Sequence, residues 1–101
     1  MQYDERANGK TIQLQLNAEF QIVLPETRTA GYRWSVIHKG EPICELLEER
    51  SEVGSAVGGS GTHVWRFRST SSGTATIQFE YGRSWNAEPE KNFVMEVQVR
   101  P

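Results

Sequence analysis

The sequence holds one cysteine, Cys44, so no disulfide can form within the chain. The fold must be held by its core, and a chain of 101 residues can bury enough apolar surface to do that. One Cys with His38 and His63 is too small a set for a structural zinc site. A surplus of positive charge is also missing. Eleven Lys and Arg against thirteen Asp and Glu leave a net charge of -2, which argues against a phosphate-binding surface. No apolar run approaches the roughly 20 residues that span a bilayer. Met1-Gln2-Tyr3-Asp4-Glu5-Arg6 lacks the basic start and apolar stretch of a signal peptide. The chain therefore reads either as cytoplasmic or as the mature part of an exported protein. Nucleic-acid binding and membrane insertion are not expected, and the 24% of charged residues is ordinary for a globular domain.

What is present is alternation. Ile12, Leu14 and Leu16 are spaced by two, and so are Phe20, Ile22 and Leu24. Trp34 and Val36, Trp65 and Phe67, Ala75 to Tyr81, and Phe93 to Val99 continue the pattern. Period two sends alternate side chains to opposite faces of a sheet. Strands are expected at 11–16, 19–24, 32–38, 43–52, 62–69, 74–81 and 92–99, with Trp34 and Trp65 inward and Trp85 accessible. Residues 43–52 could compete as a helix, but the stretch is short and lies between Pro42 and Gly54, so it is read as a strand. About seven short strands separated by turn residues predict one all-β domain over 1–101, an antiparallel sandwich.

Antiparallel connections reverse the chain, so successive loops alternate between the two ends of such a sandwich. The first, third and fifth loops, at Asn17-Ala18, Lys39-Gly40 and Ser71-Ser72-Gly73, are short and plain. The second, fourth and sixth, at Pro25–Gly31, Val53–Gly61 and Gly82–Lys91, are long and share the other end. Loops clustered at one end of a rigid scaffold are the usual place for function.

The second loop carries the small residues Thr29, Ala30 and Gly31, where Gly31 permits a positive φ. The fourth is rich in glycine, with Gly58, Gly59 and Gly61. It has no following Lys-Ser/Thr and no helix start, so it is not a phosphate loop. The sixth places Trp85 among polar residues beside Arg83, and an exposed Trp serves well as an interface anchor. No nucleophile–base pair can be placed at that end. Cys44 sits among apolar neighbours toward the plain end and reads as a small buried hydrophobe. Bare backbone, small residues and one aromatic anchor suit a protein-binding edge.

The three loops resemble those of the chagasin-type inhibitors of papain-like cysteine proteases. That family carries Asn-Pro-Thr-Thr-Gly-Tyr-x-Trp, Gly-x-Gly-Gly and Arg-Pro-Trp in these places. Here the first motif reads Thr27-Arg28-Thr29-Ala30-Gly31-Tyr32-Arg33-Trp34, the second Gly58-Gly59-Ser60-Gly61 and the third Arg83-Ser84-Trp85. Thr62-His63-Val64-Trp65-Arg66-Phe67 is similar to the strand after the glycine loop. Arg28 and Ser84 take the places of prolines, and Thr27 that of an asparagine.

The resemblance implies an immunoglobulin-like sandwich and a reversible, non-covalent inhibitor that occludes the protease cleft. Thr29, Ala30 and Gly31 would lie over the protease thiolate, and Tyr32 would belong to the same protease-binding loop. Gly58, Gly59 and Gly61 would form one flank, and Arg83 and Trp85 the side facing the protease His. The expected partner is a papain-like cysteine protease bound by a monomer, with no metal, no cofactor and no catalysis by this chain. The alternative is a non-inhibitory carbohydrate- or protein-binding module that uses Trp85 and Tyr81 as a stacking platform.

Overall fold

A computed structural model describes residues 1–53 and 61–101. Among them are eight strands: Gln2–Tyr3 (β1), Thr11–Gln15 (β2), Glu19–Glu26 (β3), Tyr32–Lys39 (β4), Cys44–Val53 (β5), Gly61–Ser69 (β6), Gly73–Arg83 (β7) and Lys91–Arg100 (β8). They form two four-stranded sheets, ordered β1-β3-β6-β5 and β2-β8-β7-β4. The seven expected strands are present within a few residues, including β5 over the stretch that could have been a helix.

The alternating residues face one another between the sheets. Phe20, Ile22 and Leu24 of β3 and Trp65 and Phe67 of β6 meet Ile77 and Phe79 of β7 and Phe93, Met95 and Val97 of β8, all buried. Trp65 stacks on Phe79 across the sheet gap with centroids 3.9 Å apart, and Trp34 meets Trp65 edge-on at 6.2 Å. Such aromatic pairs contribute about 0.5–1.5 kcal/mol each beyond the area they bury. Trp34 and Trp65 are buried as expected.

The sandwich is not wholly antiparallel. β1 runs parallel to β3, and β2 runs parallel to β8. β1 is too short for its two residues to show a period, and β2 takes its partner from the far end of the chain, which no local pattern encodes. These pairings bring both chain ends to one end of the sandwich. There Gln21 N–H donates to the Met1 carbonyl (2.9 Å) and Leu16 N–H to the Arg100 carbonyl (2.9 Å). Met1 and Arg100 line one shallow cleft with Gln15 and Ala18.

Candidate functional site

The strand registers place the three long loops at the other end, as the loop order predicts. In one sheet Glu26 faces Gly61, and Gly61 faces Val53. In the other, Tyr32 faces Arg83 and Tyr81 faces Lys91. Residues 27–31 cross from one sheet to the other, with Val53 and Gly61 at that end of the first sheet and Arg83 and Lys91 at that end of the second.

The crossing is short and tightly held. Arg28–Ala30 make one turn of 3-10 helix, closed by Gly31 at φ 85°. L-residues with a side chain resist that region, so glycine is the fitting choice. Close packing adds a second reason. A Cβ on Gly31 would lie 2.5 Å from Cη2 of Trp85, so the indole rests against the bare glycine. Trp85 is nevertheless 67% exposed, with its remaining surface turned to solvent.

Arg83 locks the two loops together. Its Nε–H donates to the Ala30 carbonyl (3.1 Å), and its guanidinium sits 4.4 Å from the Tyr32 ring centroid and 5.6 Å from that of Trp85. Cation–π contacts of this kind contribute about 0.5–1 kcal/mol at exposed positions. Tyr32 stacks on Tyr81 at 5.1 Å, and Thr27 N–H donates to the Tyr81 hydroxyl (2.8 Å).

Beneath the crossing lies a polar cluster on the inner face. Glu26 is 2% exposed. Its Oε2 accepts from Trp34 N–H (3.0 Å) and lies 3.0 Å from His63 Nδ1, while its Oε1 accepts from the Ser51 hydroxyl (2.9 Å). His63 Nε2 lies 2.7 Å from Glu49 Oε2, and the ring stacks on Trp65 at 4.3 Å. Arg28 donates to Ser51 Oγ, and its guanidinium approaches Glu26 to 3.8 Å. The Glu26 carboxyl is held below the ordinary carboxylate range. Burial, the largest single influence, pushes it up. Donation from Trp34 N–H, Ser51 and His63, with the attraction of His63, outweighs that push.

The structure brings Ala30, Gly31, Tyr32, Arg83 and Trp85 into one latched unit, and Thr29 lies in the same turn. Gly61 opens β6 at the root of the fourth loop, whereas Gly58 and Gly59 lie outside the described residues. Tyr81 corrects the stacking-platform alternative. It is 6% exposed and committed to Tyr32, Trp34 and Thr27, so its face is not open to a sugar. Cys44 faces Ser69 at the plain end, and burial pushes its thiol up to about 11, the reverse of an activated nucleophile. Arg28 holds the loop through its guanidinium.

Sequence reasoning missed the cluster. It ended β3 at Leu24 and assigned Glu26 to a loop. The period-two run Phe20, Ile22, Leu24 in fact continues inward to Glu26. On β5 the register slips between Leu46 and Glu48, and the extra residue turns Glu49 and Ser51 toward the inner face. No alternation signal could have shown that slip.

Residues 13–97 match the profile described as Chagasin family peptidase inhibitor I42. The chain is similar in structure to EhICP2, a cysteine protease inhibitor of Entamoeba histolytica (TM-score 0.87, 20% identity, 98% of this chain and 94% of that one covered). It is also similar to amebosin (TM-score 0.79, 22% identity, 98% and 96% covered). A third similar structure is PbICP-C, solved in complex with falcipain-2 (TM-score 0.66, 19% identity, 99% and 90% covered). At these identities the likeness establishes the fold. No curated protein sequence matches the chain.

Proposed function

This chain belongs to the Chagasin family of peptidase inhibitors, and on that premise we propose that it inhibits papain-like cysteine proteases by seating its three long loops in the active-site cleft. The observation that carries this reading is the latched unit: a bare, glycine-closed turn at 27–31, clamped by Arg83 and Trp85. A loop ordered before binding loses little conformational freedom on docking.

Thr29, Ala30 and Gly31 meet the protease thiolate, with Tyr32 bracing the turn from behind. Gly58, Gly59 and Gly61 form one flank and Arg83 and Trp85 the other. The inhibitor performs no chemistry: the turn fills the cleft, and no bond forms to the thiolate. Its rigidity opposes the strained carbonyl geometry that cleavage requires. The complex of PbICP-C with falcipain-2 supports a protease of this class as partner.

Titration of papain with the folded protein tests the reading. The expected result is a stoichiometric or near-stoichiometric loss of activity in the nanomolar to micromolar range, as for an interface of standard size. Activity returns on dilution, and the inhibitor is recovered uncut. Full papain and cathepsin-type activity at roughly tens of micromolar inhibitor would overturn it.

A further inference from the structure

We propose that Glu26, His63, Glu49 and Ser51 are positioning residues for the 27–31 turn, linked to it by Arg28 and Trp34, and that the turn is held in its binding shape by a doubly protonated His63. The inference rests on the reading that this turn enters the protease cleft.

The geometry gives three reasons. First, Glu26 is the last residue of β3 and its carboxylate accepts from Trp34 N–H in β4. One side chain therefore ties the two stems of the turn together across the gap between the sheets. Second, both ring nitrogens of His63 face carboxylate oxygens, at 3.0 Å to Glu26 and 2.7 Å to Glu49. An ionised carboxylate only accepts, and only an imidazolium donates from both nitrogens. A neutral ring leaves one carboxylate oxygen against a lone pair. Third, the charges balance in that state. Glu26 and Glu49 are two negatives, and Arg28 and His63 are two positives. Removing the His63 proton leaves the almost fully buried Glu26 with less compensation, a costly state for an interior charge.

Groups from each element packed around the ring meet there. β3 contributes Glu26, β5 contributes Glu49 and Ser51, and the turn contributes Arg28. β6 supplies Trp65 beneath the ring and β4 the Trp34 N–H on Glu26. Tyr81 of β7 holds Thr27 N–H one step away.

The test follows the free protein and the inhibition together. Heteronuclear NMR titration of the His63 ring fixes where it loses its second proton, and the Thr27, Gly31 and Trp34 amides are followed in the same spectra. Inhibition of papain by wild type and by His63→Gln is measured across that range. The ratio of the two constants is used at each pH, so that the protease's own titration cancels. The expected result is that the three amides move with the His63 ring. Wild-type inhibition weakens about ten-fold as the ring becomes neutral, and His63→Gln shows no such step. Glu49→Gln, at a half-exposed position, keeps the fold and shifts the ring's titration, moving the step in inhibition with it.

Amides indifferent to the ring, or a wild-type to His63→Gln ratio that stays flat through its titration, overturn the proposal and leave the inhibitory reading standing. If papain is not inhibited at any pH, the inhibitory reading fails. The amide shifts then still decide whether His63 positions the turn.

Discussion

The two ends of the sandwich solve the same problem with different chemistry. At the plain end Ser69 is buried, donates to the Gln15 carbonyl (2.6 Å) and accepts from Ala18 N–H (2.9 Å), while Thr70 caps the carbonyls of Pro42 and Ile43. Neutral hydroxyls there satisfy backbone, and the chain turns in few residues. At the end with the long loops the half-buried hydroxyl of Ser51 serves Glu26, and ionisable side chains hold the turn. Backbone-closed turns have one stable arrangement. A turn held by side chains depends on their size and protonation, so it can lose its shape while the sandwich stays folded. Substitutions at the end with the long loops should therefore change binding, some with little effect on stability, whereas those at the plain end should change stability alone.

The largest expected effect comes from Glu26→Ala, which removes the buried carboxylate that Trp34 N–H, the Ser51 hydroxyl and His63 Nδ1 meet. Urea unfolding should show a loss of about 3–5 kcal/mol, accompanied by weaker papain inhibition. Ser69→Ala should cost about 1–3 kcal/mol of stability and leave the inhibition constant unchanged in folded protein. If Ser69→Ala weakens inhibition as strongly as Glu26→Ala, the two ends are not distinct.

Trp85→Ala separates the properties most cleanly. Inhibition should fall by about 2 kcal/mol or more, roughly 30-fold, because the indole both anchors the partner and covers Gly31. Thermal unfolding should barely move, since the side chain is mostly in solvent. Gly31→Ala should follow with a loss of about 1–2 kcal/mol from the left-handed backbone, and further loss from the clash with Trp85. In a Trp85→Ala background the clash disappears, so a double-mutant cycle should return a coupling of about 0.5 kcal/mol or more. Strict additivity would mean that the indole does not rest on the glycine.

Acid sharpens the comparison further. Glu26 has a lowered value in the folded state, so its stabilisation is complete above the ordinary carboxylate range and fades as pH falls through the lower folded value. The gap in unfolding free energy between wild type and Glu26→Gln should be widest near neutrality and close in acid. The smallest effect concerns Cys44. With its thiol pushed up to about 11 and its side chain buried, it should resist iodoacetamide in the native state at mildly alkaline pH and react promptly in urea. Rapid native labelling would show that the plain end opens.

Alternation made most of this fold legible, because a two-residue period states directly which side chains face the core. Strands β2 to β8 and the sorting of their loops to two ends follow from it. The parallel pairing of β2 with β8 does not, since register between distant segments is set by packing. At the site, the small residues of 29–31 and the exposed Trp85 could be picked out by type. Their mutual contact, indole on glycine, could not, because two loops far apart in sequence create it. Glu26 was hidden by its chemistry: a carboxylate at the end of an apolar alternation looks like the first residue of a loop. Ser51 and Glu49 were hidden by the slip in β5, which inverts the faces after Leu46.

The parallel pairs at the sheet edges fix where the chain ends emerge. Met1 and Arg100 lie together beside Gln15 and Ala18, a strand's length away from Gly31 and Trp85. Polypeptide attached at either terminus leaves from the end opposite Gly31 and Trp85. Such a tether, whether a linker, a label or an immobilising surface, leaves that opposite end unobstructed. Two copies joined through a linker long enough to clear both proteases could each hold one at the same time, and the linker's length would set their effective concentration.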